Sequence, residues 1–415
     1  MARVIELGEK VERAHEIASK AREFEKQLSR NLVDRGNEAD LLTLALLLGR
    51  NAVLIGSAGT AKSEITNKVS KLIDGSVFSI QLSRDTETSE VLGYFDPKVF
   101  KDEGKLIRLT DGTLLTADVA VFDEVFEANS ILLNALRSAI NEKKFYDHGT
   151  AYDIPLWSLI GSSNLVPEDP RLAALYDRFL FRGFVQPVGA LGKTVELLRA
   201  GRSIDLERTN GVNTKPEITV ADFKEFRRLV DQVADSVLPL VLPDGTAGEV
   251  TSKLVEAFVN LRIAGVELSD RRKVMAQKAV IAAALLDGKS EASMEDLRVL
   301  RYLAPETEEQ VGDVDSVLRQ IIPTDRMTTM DLQVAADSIK RILEPGMPVT
   351  EDILEHISEG IETFRTYSAS REVSEDVRSF AGTQLRDIES LIRESGKPEF
   401  AELKNKYDLT EVQRQ

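Results

Sequence analysis

The segment from Gly56 to Glu64, GSAGTAKSE, contains the residue types of a phosphate-binding loop. Glycines in such a loop let backbone N–H groups approach phosphate oxygens, and the N-terminus of the following helix adds the positive end of its dipole. Lys62 would then reach the β and γ phosphates, and the hydroxyl of Ser63 would ligate Mg²⁺. We predict that the following residues bind a nucleotide: Gly56, Gly59, Thr60, Ala61, Lys62, Ser63 and Glu64.

Ala61 departs from the usual pattern of this loop, G-x-x-x-x-G-K-[ST], because it stands in the position of the second glycine. An alanine is tolerated there if its backbone is right-handed helical, and it is disabling only if the position requires a positive φ. The alternative interpretation of the segment is a glycine-rich turn between a strand and a helix that binds no nucleotide.

Two adjacent carboxylates end an apolar stretch further along, VAVFDE, at Asp123 and Glu124. Asp123 is suited to hold Mg²⁺, and Glu124 to orient and deprotonate an attacking water. A third apolar stretch, LWSLIGSSN, ends in Asn164, whose amide is suited to hold that water or the γ-phosphate. A strand that runs into an acidic turn is the alternative for the carboxylates.

Two arginines, Arg178 and Arg182, lie in the segment RLAALYDRFLFR, which has the pattern of a helix followed by a strand. An arginine near a transferring phosphoryl group stabilises its developing charge. The alternative is that these arginines pair with carboxylates on the surface.

The chemistry-bearing residues lie on an α/β pattern. Between Asn51 and Val185, short apolar runs alternate with helical stretches, as in parallel strands buried on both faces. Two helical segments precede this region and are separated by a turn-like DRGNE, and helices dominate after it. We predict three domains: residues 1–192, an α/β nucleotide-binding domain with N-terminal helices; residues 193–305, a helical lid; and residues 306–415, a C-terminal helical domain.

The net charge, the cysteine count and the length of the apolar runs each argue against a class of function or site. The 415 residues carry a formal net charge of −16, which argues against a surface that neutralises nucleic-acid phosphates. The chain has no cysteine, so thiolate metal ligands and a cysteine nucleophile are excluded. The longest apolar run, LLTLALLLG, is too short to span a bilayer, and we predict a cytoplasmic protein.

From Asn31 to Leu303 the chain resembles an AAA+ ATPase of the MoxR family, and within it the RavA branch. The resemblance rests on GSAGTAKS, on LSRDTETSEVLGYFDPKVFKDEGKLIRLTDGTLLTADVAVFDE, and on NALRSAINEKKF, SSNLVPED, ALYDRFLFR and LSDRR. It implies a P-loop AAA+ core with a parallel sheet flanked by helices, then an all-α lid and a C-terminal helical domain. The family often has proline where Ser57 and Ala58 stand, and residues 306–415 have no match in it.

The resemblance also implies roles for individual residues. Ala61 is then a family variant of the loop, Asn164 is the sensor-one residue, and Arg271, in SDRR, is the sensor-two arginine. Arg178 is implied to be the arginine finger for the ATP of a neighbouring subunit. ATP and Mg²⁺ are the expected cofactors, and the insertion from Gly93 to Gly112 is expected to project toward the pore of a ring. The alternative for this insertion is a solvent-exposed hairpin.

The function implied is a homo-oligomeric, hexameric ring that hydrolyses ATP and remodels protein clients in the manner of a chaperone. The chain lacks the D-x-S-x-S signature of a von Willebrand factor A domain, so such a partner would come from another chain. One alternative is a nucleic-acid motor, against which the net charge argues. The other is a nucleotide-gated scaffold without turnover, against which the pair Asp123 and Glu124 argues, since a scaffold needs no water-activating carboxylate.

Overall fold

The structure is a computed structural model. It describes residues 2–147, 150–167, 169–188, 197–202, 218–242, 245–322, 351–369, 375–395 and 397–407, with isolated positions between 332 and 343. Two compact units are present: residues 1–187 with 203–321 form the first, and residues 188–202 with 322–415 form the second. The predicted boundary at residues 192/193 lies outside the described residues, and the three predicted domains stay a prediction.

A five-stranded parallel sheet, in the order β3-β4-β7-β1-β8, is the core of the first unit. Two short pairs accompany it, β2 with β9 in parallel and β5 with β6 as an antiparallel hairpin. The strands are β1 (Asn51–Ile55), β2 (Ile73–Asp74), β3 (Val77–Gln81), β4 (Val119–Asp123), β5 (Lys144–Asp147), β6 (Thr150–Asp153), β7 (Ser158–Ser163), β8 (Phe179–Phe184) and β9 (Ile218–Thr219).

Helices cover this sheet and extend beyond it. Helices of 3₁₀ type span Leu114–Thr116 and Met294–Val299. The α-helices of the first unit are α1 (Ala2–Ser29), α2 (Gly36–Leu47), α3 (Lys62–Leu72), α4 (Thr88–Leu92), α5 (Pro97–Glu103), α6 (Ser130–Glu142), α7 (Pro170–Tyr176), α8 (Val220–Val237), α9 (Glu249–Ile263), α10 (Asp270–Leu286), α11 (Leu300–Leu303) and α12 (Glu309–Ile321).

The central strands are buried along their whole length. Every residue of β1 and of β7 is buried, because α2 packs on β1, β7 and β8 while α3 packs on β3, β4 and β7. This explains why β1 contains the unbroken apolar run AVLI in the sequence. The predicted α/β fold with a parallel sheet flanked by helices is thereby confirmed.

The helices after the sheet form a helical layer in the first unit. Thr219 and Asp222 start α8 with a capping box, in which each side chain bonds to the other residue's backbone N–H. Helix α1 packs on both α8 and α10, so the N-terminal helix joins the core to this layer. The segment from Glu306 through α12 belongs to the same unit.

The second unit contains α13 (Glu351–Ala369), α14 (Glu375–Glu394), a 3₁₀ helix (Pro398–Phe400) and α15 (Ala401–Lys406). It has its own apolar core, which includes the fully buried rings of Phe364 and Phe400. Among the described residues, no helix is long and apolar enough to cross a membrane.

Candidate active site

The predicted phosphate loop, acidic pair and polar strand end lie at one edge of the sheet. The loop follows β1, the pair Asp123 and Glu124 ends β4, and Asn164 follows β7. In the register, Ile55 at the end of β1 pairs with Ser163 at the end of β7. Because parallel strands end at the same edge, the structure brings these groups together.

The loop begins with a close backbone contact at Gly56. A Cβ on this residue would lie 2.2 Å from the carbonyl oxygen of Val185, so only glycine fits. The backbone N–H of Gly56 donates to the carbonyl of Ser163 at 3.2 Å, which ties the loop to β7.

Arg35 fixes the far end of the loop, and the sequence analysis did not identify it. Its guanidinium is buried and donates from Nε to the carbonyl of Thr60 at 3.0 Å and from Nη2 to the carbonyl of Gln186 at 2.8 Å. Arg35 lies within the turn-like DRGNE, and this pattern by itself predicts only a loop. Arg35 therefore positions the phosphate loop against the end of β8.

Lys62 lies at the first position of α3 and is buried. Its ammonium donates to the carbonyls of Gly56 at 2.6 Å and of Ser57 at 2.8 Å, and to Asn164 Oδ1 at 3.2 Å. Burial lowers the pKa of Lys62, while the nearby charges of Glu124 and Asp123 act in the opposite direction. The ammonium is thus aimed into the space that the loop, the acidic pair and Asn164 share.

Ala61 does not have the right-handed conformation that makes alanine harmless at this position. Its φ is 65° and its ψ is 18°, which is left-handed, directly before α3. For an L-residue with a Cβ this conformation costs about 1 kcal/mol, far less than a folded domain's total stability. The loop ends are nevertheless tied to Ser163 and Arg35, so the folded domain bears the strain at Ala61, and nucleotide binding by the alanine variant stays a prediction.

The acidic pair is held by hydroxyl and amide donors. Ser162 Oγ donates to Asp123 Oδ1, and Asn164 Nδ2 donates to Glu124 Oε1 at 2.5 Å. Burial raises the pKa of Glu124, and the charge of Asp123 raises it further. Glu124 has a φ of 53°, a left-handed conformation of the kind that clusters at functional sites.

Ser63 and Asp123 fit Mg²⁺ by the chemistry of their donors. One hydroxyl and one carboxylate are oxygen ligands of the type Mg²⁺ takes, with waters and substrate phosphates completing its octahedron. Within the described ranges, no cluster of three or more histidine, cysteine or acidic residues is arranged so that it could hold a metal ion by itself. Such a cluster is not required for an ion held partly by phosphates.

Arg178 lies at the opposite edge of the sheet. It directly precedes β8, and its carbonyl accepts a hydrogen bond at 3.2 Å from the side-chain amide of Asn51, where β1 begins. Since a strand rises about 3.3 Å per residue, β1 separates Arg178 from its own phosphate loop by roughly 16 Å. The structure therefore does not bring Arg178 together with Lys62 in one chain.

Arg271, the predicted sensor-two arginine, lies on the side of Arg178. One carboxylate, that of Asp177, is 3.1 Å from Arg178 Nη1 and 4.0 Å from Arg271 Nη1. Both arginine side chains are partly exposed. Two of the predicted catalytic cations therefore share a surface that is remote from the phosphate loop of their own chain.

Arg182 is buried, whereas the alternative interpretation placed it in an ion pair on the surface. Its side chain is only 1% exposed, and its guanidinium stacks 3.9 Å from the ring centroid of Tyr176. A second buried arginine, Arg272, is also 1% exposed, and both face Glu306, at 3.5 Å and 3.1 Å respectively. Glu306 thus balances two buried positive charges between β8 and α10.

The parallel sheet, the phosphate loop with Lys62, and the carboxylate pair beside Asn164 define a P-loop ATPase of the AAA+ class. Residues 19–253 match the family model described as the MoxR domain in the MoxR-vWA-beta-propeller ternary systems. The chain belongs to this MoxR family. The RavA-like branch is not confirmed by this match and stays a prediction.

The chain is also similar to several known proteins. Two uncharacterized proteins of Methanocaldococcus jannaschii are each 32% identical to the chain, over 69% and 67% of it and over 70% and 69% of their own lengths. A structural protein of Acidianus two-tailed virus is 31% identical over 54% of the chain and 37% of its own length. A crystal structure from Cytophaga hutchinsonii, of a protein proposed to be an ATPase, shares the fold with a TM-score of 0.56 and 16% identity, over 76% of this chain and 98% of that one.

Proposed function

We propose that the chain forms a homo-oligomeric, hexameric ring that hydrolyses ATP to ADP and phosphate in the cytoplasm, with Mg²⁺, to remodel protein complexes. The observation that carries the proposal is the separation of Arg178 from Lys62 across the sheet. An arginine at that edge reaches a phosphoryl group only in another subunit, so a complete site requires a neighbour.

The residues at the phosphate-loop edge supply the remaining chemistry. Lys62 exchanges its bonds to the loop carbonyls for the β and γ phosphates. Ser63 and Asp123 hold Mg²⁺, which neutralises phosphate charge when it is bound. Glu124 accepts a proton from the attacking water, and Asn164, bonded to both Lys62 and Glu124, positions that water against the γ-phosphate.

A remodelling role is supported by the family and by the insertion from Gly93 to Gly112. The family model describes MoxR domains of systems that also contain von Willebrand factor A and β-propeller components. We infer that such proteins, encoded separately, are the partners of this chain. The insertion exposes large apolar side chains suited to contact a protein client: Tyr94, Phe100, Leu106, Ile107 and Leu109.

Steady-state phosphate release tests the chemistry. Wild-type protein should release phosphate from ATP with Mg²⁺ and stop when EDTA removes the ion. Glu124→Gln should bind ATP and lose turnover at least about 100-fold, because an amide accepts no proton. Glu127→Gln, three residues further on and exposed, is the matched control. Turnover by Glu124→Gln within a few-fold of wild type would place the base elsewhere.

Mixed subunits test the shared site. Arg178→Ala keeps the phosphate loop but lacks the finger, and Lys62→Ala keeps the finger but cannot hold ATP. Each protein alone should be inactive, while their mixture should regain turnover wherever the two types are adjacent. If subunit exchange is demonstrated and the mixture stays inactive, Arg178 does not serve a neighbour's ATP.

A further inference from the structure

Arg50 lies beside Arg178 at the edge where β1 and β8 begin. The residues that follow them, Asn51 and Phe179, are register partners on these adjacent parallel strands. Adjacent strands lie about 4.8 Å apart, so the two guanidinium groups extend from neighbouring backbone positions. The carbonyl of Arg50 is also fixed, since it accepts a hydrogen bond at 2.5 Å from Ser158 Oγ at the start of β7.

Two more cations approach the same place from other elements. Lys143 ends α6, and Arg227 lies on α8 with its guanidinium 5.5 Å from the ring centroid of Trp157, directly before β7. Burial lowers the pKa of Arg50, and the charges of Arg227 and Arg271 lower it further, while the charge of Asp231 raises it. Burial also lowers the pKa of Lys143, and the charges of Arg50 and Arg227 add to that shift. We name this group the basic face; it consists of Arg50, Lys143, Arg178, Arg227 and Arg271.

The basic face has few counter-charges. Of the residues that the structure describes, no carboxylate forms an ion pair with Arg50, Lys143 or Arg227, and Asp177 alone serves Arg178 and Arg271. The nearby Asp231 is paired with Lys278 at 2.6 Å. The chain has a net charge of −16, so a group of cations that lack paired carboxylates is unexpected from its composition. Such a group indicates that the basic face binds an anionic ligand.

Two donors of the basic face are buried without an acceptor. The Nε atoms of Arg50 and Arg178 are inaccessible and form no hydrogen bond within the described part of the chain. In proteins generally, buried polar groups are nearly always paired, and guanidinium groups match phosphate oxygens in both charge and geometry. The chain's own phosphate loop lies at the other edge of the sheet, so these phosphates come from elsewhere.

We propose that the basic face binds the triphosphate of ATP held by a neighbouring copy of this chain, and that Arg50, Lys143 and Arg227 contact it together with Arg178 and Arg271. This inference rests on the ring proposed above. It extends the shared site from two arginines to five cations. Arg50, which is beside Arg178 in the register, is the residue expected to contribute most.

The mixture of Arg178→Ala and Lys62→Ala proteins shows in which subunit Arg50 acts. In that mixture only the Lys62→Ala chain presents a working basic face, and only the Arg178→Ala chain holds ATP. Arg50→Met in the Lys62→Ala chain should lower phosphate release about tenfold or more, because a charge-assisted bond to phosphate is lost. Arg50→Met in the Arg178→Ala chain should leave turnover unchanged.

Arg227→Met gives a second, independent variant on a helix surface. Its matched control is Arg228→Met, at the adjacent exposed position. Arg227→Met should lower turnover in the Lys62→Ala chain only, and Arg228→Met should have no effect in either chain. Equal losses in both chains, or no loss in the Lys62→Ala chain for Arg50→Met and Arg227→Met, would overturn the inference.

Two further experimental results would overturn the proposal, each for a different reason. An inactive parent mixture, in which Arg50 is unchanged, overturns the shared site itself and the basic face with it. Labelled duplex DNA of random sequence is the second probe. Salt-sensitive binding of this DNA by wild type that Arg50→Met abolishes would assign the basic face to nucleic-acid phosphates and overturn the proposal. The proposal expects no such binding.

Discussion

The ammonium of Lys62 donates a hydrogen bond to Asn164 Oδ1 at 3.2 Å, between residues that lie 102 positions apart in the sequence. The other end of the same amide donates to Glu124. Asn164 therefore links the residue proposed to hold the phosphates with the residue proposed to activate water. Its orientation is fixed, because the amide oxygen faces a cation and the amide nitrogen faces a carboxylate.

These two hydrogen bonds predict different effects for substitutions of Lys62 and of Asn164. Lys62→Ala should weaken binding of labelled ATP at least about 100-fold, because it removes the side-chain cation of the loop. Lys71→Ala, in the last turn of the same helix and exposed, should bind ATP as wild type does. Unchanged affinity in Lys62→Ala would contradict the assignment of the phosphate loop.

Asn164→Ala should bind ATP with an affinity close to that of wild type and hydrolyse it about 10- to 100-fold more slowly. The substitution leaves Lys62 in place but removes the amide donor that orients Glu124. Misplacement of a catalytic group slows a reaction by about this factor. Single-turnover phosphate release and ATP binding, measured on the same preparation, check this separation. A loss confined to affinity would show that Asn164 only supports Lys62.

The left-handed conformation of Ala61 predicts a stabilising substitution. Ala61→Gly should raise the free energy of unfolding by about 0.5–1 kcal/mol, because relief of the Cβ clash exceeds the added entropy of the unfolded chain. Ala58 is the matched control, since it lies in the same loop, is exposed and has no positive φ. Ala58→Gly should destabilise by a few tenths of a kcal/mol in urea unfolding. Equal effects of both substitutions would refute strain at Ala61.

Glu306 predicts a loss of stability when its charge is removed. Arg182 and Arg272 are buried, and Glu306 is within ion-pair distance of both, although the guanidinium of Arg272 makes no hydrogen bond. Because Glu306 is half exposed, Glu306→Gln should cost about 1–2 kcal/mol, less than for a fully buried pair. Glu309→Gln, exposed at the start of α12, should cost less stability than Glu306→Gln in the same unfolding experiment.

The sequence predicted the sheet and the phosphate-loop edge of the site because both depend on local patterns. Apolar runs indicate buried strands, and polar residues that end parallel strands must lie at one edge. The sequence did not reveal Arg35, since a cation in a turn carries no periodic signal. Nor did it reveal the hydrogen bond that the Tyr176 hydroxyl donates to the carbonyl of Glu306, 130 residues away, because no local pattern reports which distant residues meet.

The backbone conformation of Ala61 could not be predicted from its residue type. The residue type favours right-handed helix, yet the loop imposes a φ of 65°. Tertiary contacts on both sides, from Gly56 to Ser163 and from Arg35 to Thr60, fix the loop ends and override the local preference of one residue. The cost of about 1 kcal/mol is small beside those contacts.

Lys143 predicts a pH-dependent stability. Burial, together with the charges of Arg50 and Arg227, lowers its pKa from 10.5 to about 8. Between these two pH values the unfolded chain binds more protons at this position than the folded chain, so the stability of wild type rises with pH across this window. Below about pH 8 the folded chain carries the full cost of a charged Lys143.

Lys143→Met removes that cost. It should raise the free energy of unfolding by about 1–2 kcal/mol at pH 7, a discounted value because the side chain is only partly buried. The gain should shrink as the pH rises above 8 and vanish above 10.5, where Lys143 is neutral in both states. Lys144→Met, whose lysine pairs with Asp153, is the control, and its difference from wild type should not change over this range. Urea unfolding at pH 7 and at pH 10 measures both variants; a gain for Lys143→Met that is equal at the two pH values would show that its charge is not destabilising in the folded chain.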